Sequence, residues 1–230
     1  MFTKETPLWI TAGAMILAGI AGCVNAVGFL GLHHQAVTHL TGTVTNLGME
    51  LARGDRSLAQ HAFLVILFFF LGCVFSGVII RHSTLKAGRR YGVALTTESA
   101  LLFTSAYLFR HQSNAGEYLS AMACGLQNAM ATSYSGSVVR TTHVTGIVTD
   151  LGIAVGLVAR REAVDWRRVR LYLVLLTGFF LGGLLGTFGF LRFSYDILLL
   201  PAALAGIAGL SHTFVRHYAH QRSLAATGTR

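Results

Sequence analysis

The sequence predicts an all-α polytopic membrane protein: two inverted repeats of three full spans, each with a short broken or re-entrant polar helix. Three observations lead there. Charged residues make up 12% of the 230-residue chain and hydrophobic ones 53%, with a mean hydropathy of +0.59, whereas soluble domains carry about 25% charged residues. The apolar residues gather in blocks near the roughly 20 residues that a helix needs to cross a bilayer. One polar, glycine-rich phrase also occurs twice: THLTGTVTNLG over residues 38–48 and THVTGIVTDLG over 142–152.

The apolar blocks are 8–30, 60–80, 91–109, 117–136, 171–191 and 195–215. All should be helical, because backbone exposed to lipid must satisfy its own hydrogen bonds. The first block follows Lys4 and contains IAGC (20–23), which looks like a lipoprotein cleavage box. GCVNA (22–26) has an internal counterpart in GLQNA (125–129), where cleavage has no meaning, so block 8–30 reads as a retained span. Two shorter pieces, 37–52 and 142–159, carry the phrase.

The repetition goes further. FFLG follows each phrase, at 69–72 and 179–182. A span that opens on Tyr and ends on Arg-His closes each half, at 91–111 and 195–217. Matched features in one order define two units, 1–112 and 113–222, followed by a polar tail over 223–230.

Lys and Arg choose between topologies. If both phrases cross, there are eight spans and the basic residues divide 12 to 6. If each phrase enters and returns, there are six, and the division becomes 14 to 4, with Arg53, Arg56, Arg110 and Arg192 alone on one side. As a helix, 37–52 covers only about 24 Å. Six spans with both termini cytoplasmic is the expectation. An odd number of spans per unit turns the second unit upside down, as in many transporters. The two phrases would then approach each other near the midplane.

Within the phrases, Thr38, Thr41 and Thr45 repeat as Thr142, Thr145 and Thr149, while His39 and Asn46 repeat as His143 and Asp150. Hydroxyls, imidazoles and an amide or carboxylate offer donors and acceptors along a short path. Gly42 and Gly146 allow a break or a close approach, and Gly48 and Gly152 permit tight packing. Thr and Gly at such spacing are also ordinary glue between membrane helices. The ionisable residues carry more, since charge inside a membrane is costly and usually functional. Asn25 and Asn128 form a further duplicated polar pair. Glu98 lies inside a span without a duplicate, as either a proton-linked group or one paired with a nearby Arg. Asp150, His143, His39 and Glu98 are the proton-linked candidates. Glu50 and Asp196 fall near span ends, and His33 and His34 read as solvated loop residues.

The net charge of +9 fits loops that orient spans and meet anionic lipid headgroups, and no nucleic-acid motif accompanies it. Cys23, Cys73 and Cys124 sit in apolar segments, which indicates neither a zinc site nor a disulfide framework. No hydrolase, metalloprotease or nucleotide-binding motif is present, so no enzyme, metal or cofactor is expected.

The two phrases, the Gly-x-x-Asn in the span before each, and the FFLG spans together resemble the YoaK-like family of uncharacterised bacterial inner-membrane proteins (domain of unknown function 1275). The resemblance covers the chain to about residue 215. It implies a bacterial inner membrane and about six helices, and brings no substrate or catalytic residue.

The expected function is a small-solute or ion transporter or channel, proton-linked through Asp150 and the histidines. Helix N-termini at Gly42 and Gly146 would favour an anionic solute. A second copy of the chain is a candidate partner, in a homodimer, since small transporters often dimerise, and the sequence leaves the oligomeric state open. The alternative is a non-transporting scaffold or sensor that binds a partner or lipid through basic loops 81–90 and 160–170.

Overall fold

The computed structural model describes residues 8–80, 89–135 and 141–227, with side chains over 10–80, 90–133 and 141–213. Basic loop 81–90 (apart from its last two residues), Arg140 and Lys4 lie outside the described residues. The described residues form helices without strands: α1 (Leu8–Leu30), α2 (Leu40–Arg53), α3 (Arg56–Ile79), α4 (Arg89–Arg110), α5 (Ala115–Ser135), α6 (Val144–Ala159), α7 (Trp166–Phe193), a 3₁₀ turn (Ser194–Leu198) and α8 (Leu199–Thr227).

Local chemistry sets several of these ends. Asp55 caps α3, its carboxylate accepting from the Ser57 and Leu58 amides at 3.1 and 3.0 Å. Asp165 caps α7 in the same way, accepting from Arg167 and Arg168 at 3.1 and 3.4 Å. The caps start both helices four or five residues before the apolar runs do. Gly54 closes α2 at φ 79°, a left-handed conformation suited to glycine. α8 runs on to Thr227, so the stretch expected as a tail from 223 is largely helical.

Three segments are long and apolar enough to cross a membrane: Ile10–Leu30, Arg56–Ile79 and Trp166–Thr213. The last contains α7 and the first part of α8, divided at Ser194, whose φ is 53°.

Glycines determine how the long helices pair. A Cβ on Gly22 would lie 2.1 Å from the Phe179 carbonyl oxygen, and one on Gly125 would lie 2.1 Å from that of Phe69. A Cβ on Gly182 would lie 2.0 Å from the Gly19 oxygen, and one on Gly72 2.0 Å from that of Met122. So GCVNA of α1 packs on the FFLG of α7, and GLQNA of α5 packs on the FFLG of α3. Only glycine lets backbones come this close.

The contacts also fix direction. Met15 meets Gly178, Gly19 meets Gly182 and Cys23 meets Gly186, so α1 and α7 run parallel. His61 meets Glu117 and Gly72 meets Leu126, so α3 and α5 run parallel too. α4 is antiparallel to α5, with Phe109 against Gly116 and Ser105 hydrogen-bonded to Ser120 at 2.7 Å. It is also antiparallel to α8, with Gly92 against Thr213, Ser99 bonded to the Ala202 carbonyl at 2.7 Å, and Arg110 paired with Asp196. The core between these pairs holds Val24, Val27, Phe69, Leu102 and Phe109.

Candidate functional site

The first phrase begins inside the bundle. After α1 the chain turns back along it: the Gln35 carbonyl and Val37 press on Gly28, and Thr38 reaches Asn25. Thr38 donates from Oγ1 to Asn25 Oδ1 at 2.8 Å and from its amide to the same oxygen at 3.3 Å. Both residues are buried. His39 sits edge-on to Phe179, ring centroids 5.4 Å apart, beside Gly22. Residues 31–39 therefore descend about 8–12 Å along α1 at 1.5 Å per residue. α2 then climbs back out and packs antiparallel on α3, with Leu51 opposite Ala59 and Gln60.

The remaining phrase residues do not converge. Thr41, Gly42, Thr45 and Asn46 face outward on α2, as do His143, Thr145, Thr149 and Asp150 on α6, while Gly146 is half-buried and Thr142 fully buried. Thr45 Oγ1 bonds back to the Thr41 carbonyl and Thr149 Oγ1 to the Thr145 carbonyl, each at 3.0 Å. Both helices run unbroken through their glycines. Gly42, Gly48 and Gly152 face open space, and Gly146 makes room for the His143 ring; none serves a backbone approach. α2 packs on α3 and α6 on α7, and no contact joins α2 to α6. The two phrases therefore lie on different helix pairs. Asp150 lies near the Tyr172 hydroxyl, early in α7.

A second group of polar residues is buried between the long helices. Gln127 donates to the Leu17 carbonyl at 2.6 Å. The α4–α5 register sets Glu98, 1% exposed, level with Gln127. Glu98 Oε2, Gln127 Oε1 and Asn128 Oδ1 are buried and accept no hydrogen bond. Among the described residues no ion pair includes Glu98, so the expected nearby Arg is not beside it. Asn128 makes no bond of the Asn25–Thr38 kind.

A third group escaped the sequence reading. His33, expected in solvent, lies against His61 with centroids 3.9 Å apart and the rings tilted by 37°, and its Nε2 is buried. His61 Nε2 lies 3.1 Å from Glu117 Oε2, and His61 Nδ1 is 3.0 Å from the Tyr118 hydroxyl. The neighbouring His34 adopts φ 50° and donates from Nδ1 to the Phe29 carbonyl at 2.9 Å, which fixes the turn that presents His33. No motif spacing announces three residues drawn from a turn and two different helices. The only available signal was a buried-position Glu and His near span ends.

No curated protein and no solved structure gives a significant match to this chain. One family model does, over residues 13–211, spanning both phrases and all three polar groups. The chain belongs to the family described as protein of unknown function (DUF1275).

Proposed function

We propose that the chain is a small-solute or ion transporter or channel of a bacterial inner membrane, made of two inverted three-span halves. The observation that carries this reading is the path of residues 31–53: coil into the bundle beside α1, then helix back out. Discontinuous elements of this kind, which place helix starts at membrane depth, are where transporter sites are built. Helix directions support six crossings. α1 and α7 point one way, α5 and α8 the other, and α2 leaves by the end it entered. Arg53, Arg56, Arg110 and Arg192 belong to that end by chain position, and the other fourteen Lys and Arg to the opposite one, which we assign to the cytoplasm with both termini. The outward polar faces of α2 and α6 become walls of a path when a second copy closes them. Asp150 and the two phrase histidines link it to protons.

A non-transporting scaffold or sensor that binds lipid or a partner is the second reading. One observation favours it. The groove of about 320 Å³ between α2 and α3 is lined by Leu47, Leu51, Ala59 and Phe63 with Arg56 and Gln60, and none of the phrase's polar residues enters it.

Cysteines placed at Thr41 and Thr145, with Cys23, Cys73 and Cys124 replaced by Ala, separate the readings. Labelling by a membrane-impermeant maleimide from opposite faces supports inverted path elements. Labelling of both from one face, or of neither, rejects them.

A further inference from the structure

We infer that His33, His61 and Glu117 form a binding site for one zinc-class divalent metal ion, at the end of the bundle that carries few Arg residues. The proposal is independent of transport.

The donor set comes first. One ligand atom from each residue lies within 4.8 Å of the other two. Ligands around a four-coordinate zinc ion, at about 2.0–2.2 Å from the metal, stand roughly 3.3–3.5 Å apart. His61 Nε2 and Glu117 Oε2, at 3.1 Å, already have close to that spacing, and His33 offers a ring nitrogen within 4.8 Å of ligand atoms of both. Two imidazoles and one carboxylate are a ligand set for zinc and its neighbours, while magnesium and calcium demand oxygen.

The hydrogen bonding is incomplete in a way that a cation completes. His61 Nε2 is close to the carboxylate without the alignment of a hydrogen bond, and His33 Nε2 and Glu117 Oε1 are buried with no partner. The side chains of His61 and Glu117 are 5% and 1% exposed. Buried polar atoms left unpaired at this density are costly. His61 Nδ1 is held by Tyr118, the arrangement by which a second residue orients a metal-bound imidazole. The left-handed His34, bonded to the Phe29 carbonyl, holds the turn that carries His33 toward His61.

Packing does not compel these residue types. In the register that aligns the two FFLG segments, His61 corresponds to Leu171. In the register that aligns GCVNA with GLQNA, Glu117 corresponds to Ala14. Ala14 and Leu171 meet in an apolar cluster with Ala18, Ile147 and Leu175. The same helix joint is thus closed by hydrocarbon in one half of the chain and by a carboxylate with two imidazoles in the other.

The test uses the full chain in detergent, stripped with EDTA, then titrated with Zn²⁺ by calorimetry and with Co²⁺ by visible absorption. One equivalent of Zn²⁺ should bind, and Co²⁺ should give the d–d band of a four-coordinate nitrogen–oxygen site. Glu117→Gln and His33→Ala should each weaken Zn²⁺ at least about 100-fold, and Tyr118→Phe about 10-fold, within the range of outer-sphere losses. His33 sits on a turn, so its variant keeps the test sound where a helix variant fails to fold. Absence of saturable binding to the stripped wild-type chain overturns the proposal. Unchanged affinity in His33→Ala and Glu117→Gln also overturns it, since the ion then sits on other histidines.

Discussion

Replacing Gly22 with Ala puts a methyl group 2.1 Å from the Phe179 oxygen, and Gly125→Ala does the same against Phe69. An ordinary carbon–oxygen contact lies beyond about 3.4 Å, so each helix pair must part by more than roughly 1 Å. Overpacking of this kind costs about 1–3 kcal/mol, offset by up to about 1 kcal/mol from the better helix propensity of Ala. The net loss is up to about 2 kcal/mol, which lowers Tm by as much as roughly 8 °C in a chain of this size. The two seams use different helices, so the double variant should show nearly the sum of the single losses. Gly48→Ala and Gly152→Ala meet no neighbouring atoms and should instead gain about 0.5–1 kcal/mol. Thermal unfolding of the five variants in one detergent gives the comparison. If Gly22→Ala costs stability while Gly125→Ala does not, the seams are not equivalent. If Gly48→Ala is as damaging as Gly22→Ala, close approach is not what those glycines provide.

The Asn25–Thr38 bond should tie the entry of α2 to α1: a double-mutant cycle with Asn25→Ala and Thr38→Val should yield a coupling of about 0.5–1.7 kcal/mol, and zero coupling would show that the coil is held by packing alone. Arg110, by hydrogen bond and by charge, holds the Asp196 carboxyl below its ordinary value. A carboxylate lowered in the folded state stabilises above its ordinary pKa of about 4, and the effect disappears as pH falls through the folded value. Asp196→Asn should therefore flatten the acid limb of stability against pH, and an unchanged limb would dissociate the pair from folding. In proteoliposomes, Asp150→Asn should abolish proton-coupled uptake while Asn46→Asp leaves it, and wild-type flux in both would remove Asp150 from the coupling.

The helices were legible because their signals are local. Apolar blocks located α1, α4 and α5 closely, and the polar phrases located α2 and α6, whereas α8 starts four residues after its block and runs on to Thr227. The starts of α3 and α7 were missed because Asp55 and Asp165 set them, and a cap contributes nothing to hydropathy. The glycine seams were half legible. GCVNA, GLQNA and the two FFLG segments stood out as repeats, but which glycine meets which carbonyl depends on helices more than fifty residues apart in sequence. The phrase glycines misled for the same reason: Gly42 and Gly48 resemble packing glycines in sequence and face open space in the fold.

A search by repetition finds what two halves share, and here they share architecture: the caps, the seams, the phrase helices with their back-bonded threonines. The chemistry differs between the halves. Asn25 binds Thr38, whereas Asn128 Oδ1 has no partner. Asn46 is neutral where Asp150 carries a carboxylate beside Tyr172. His61 with Glu117 occupies a joint that Leu171 and Ala14 fill on the other side. Each departure changes the polar chemistry at the matching position: an acceptor left without a partner, a carboxylate in place of an amide, or polar groups in place of hydrocarbon. In the inverted arrangement we propose, exchange of the halves would interchange the two faces of the membrane, so a polar substitution in one half would give one face a chemistry the other lacks. On that proposal, the unmatched residues, rather than the repeated phrase itself, would be where a difference between the two faces resides.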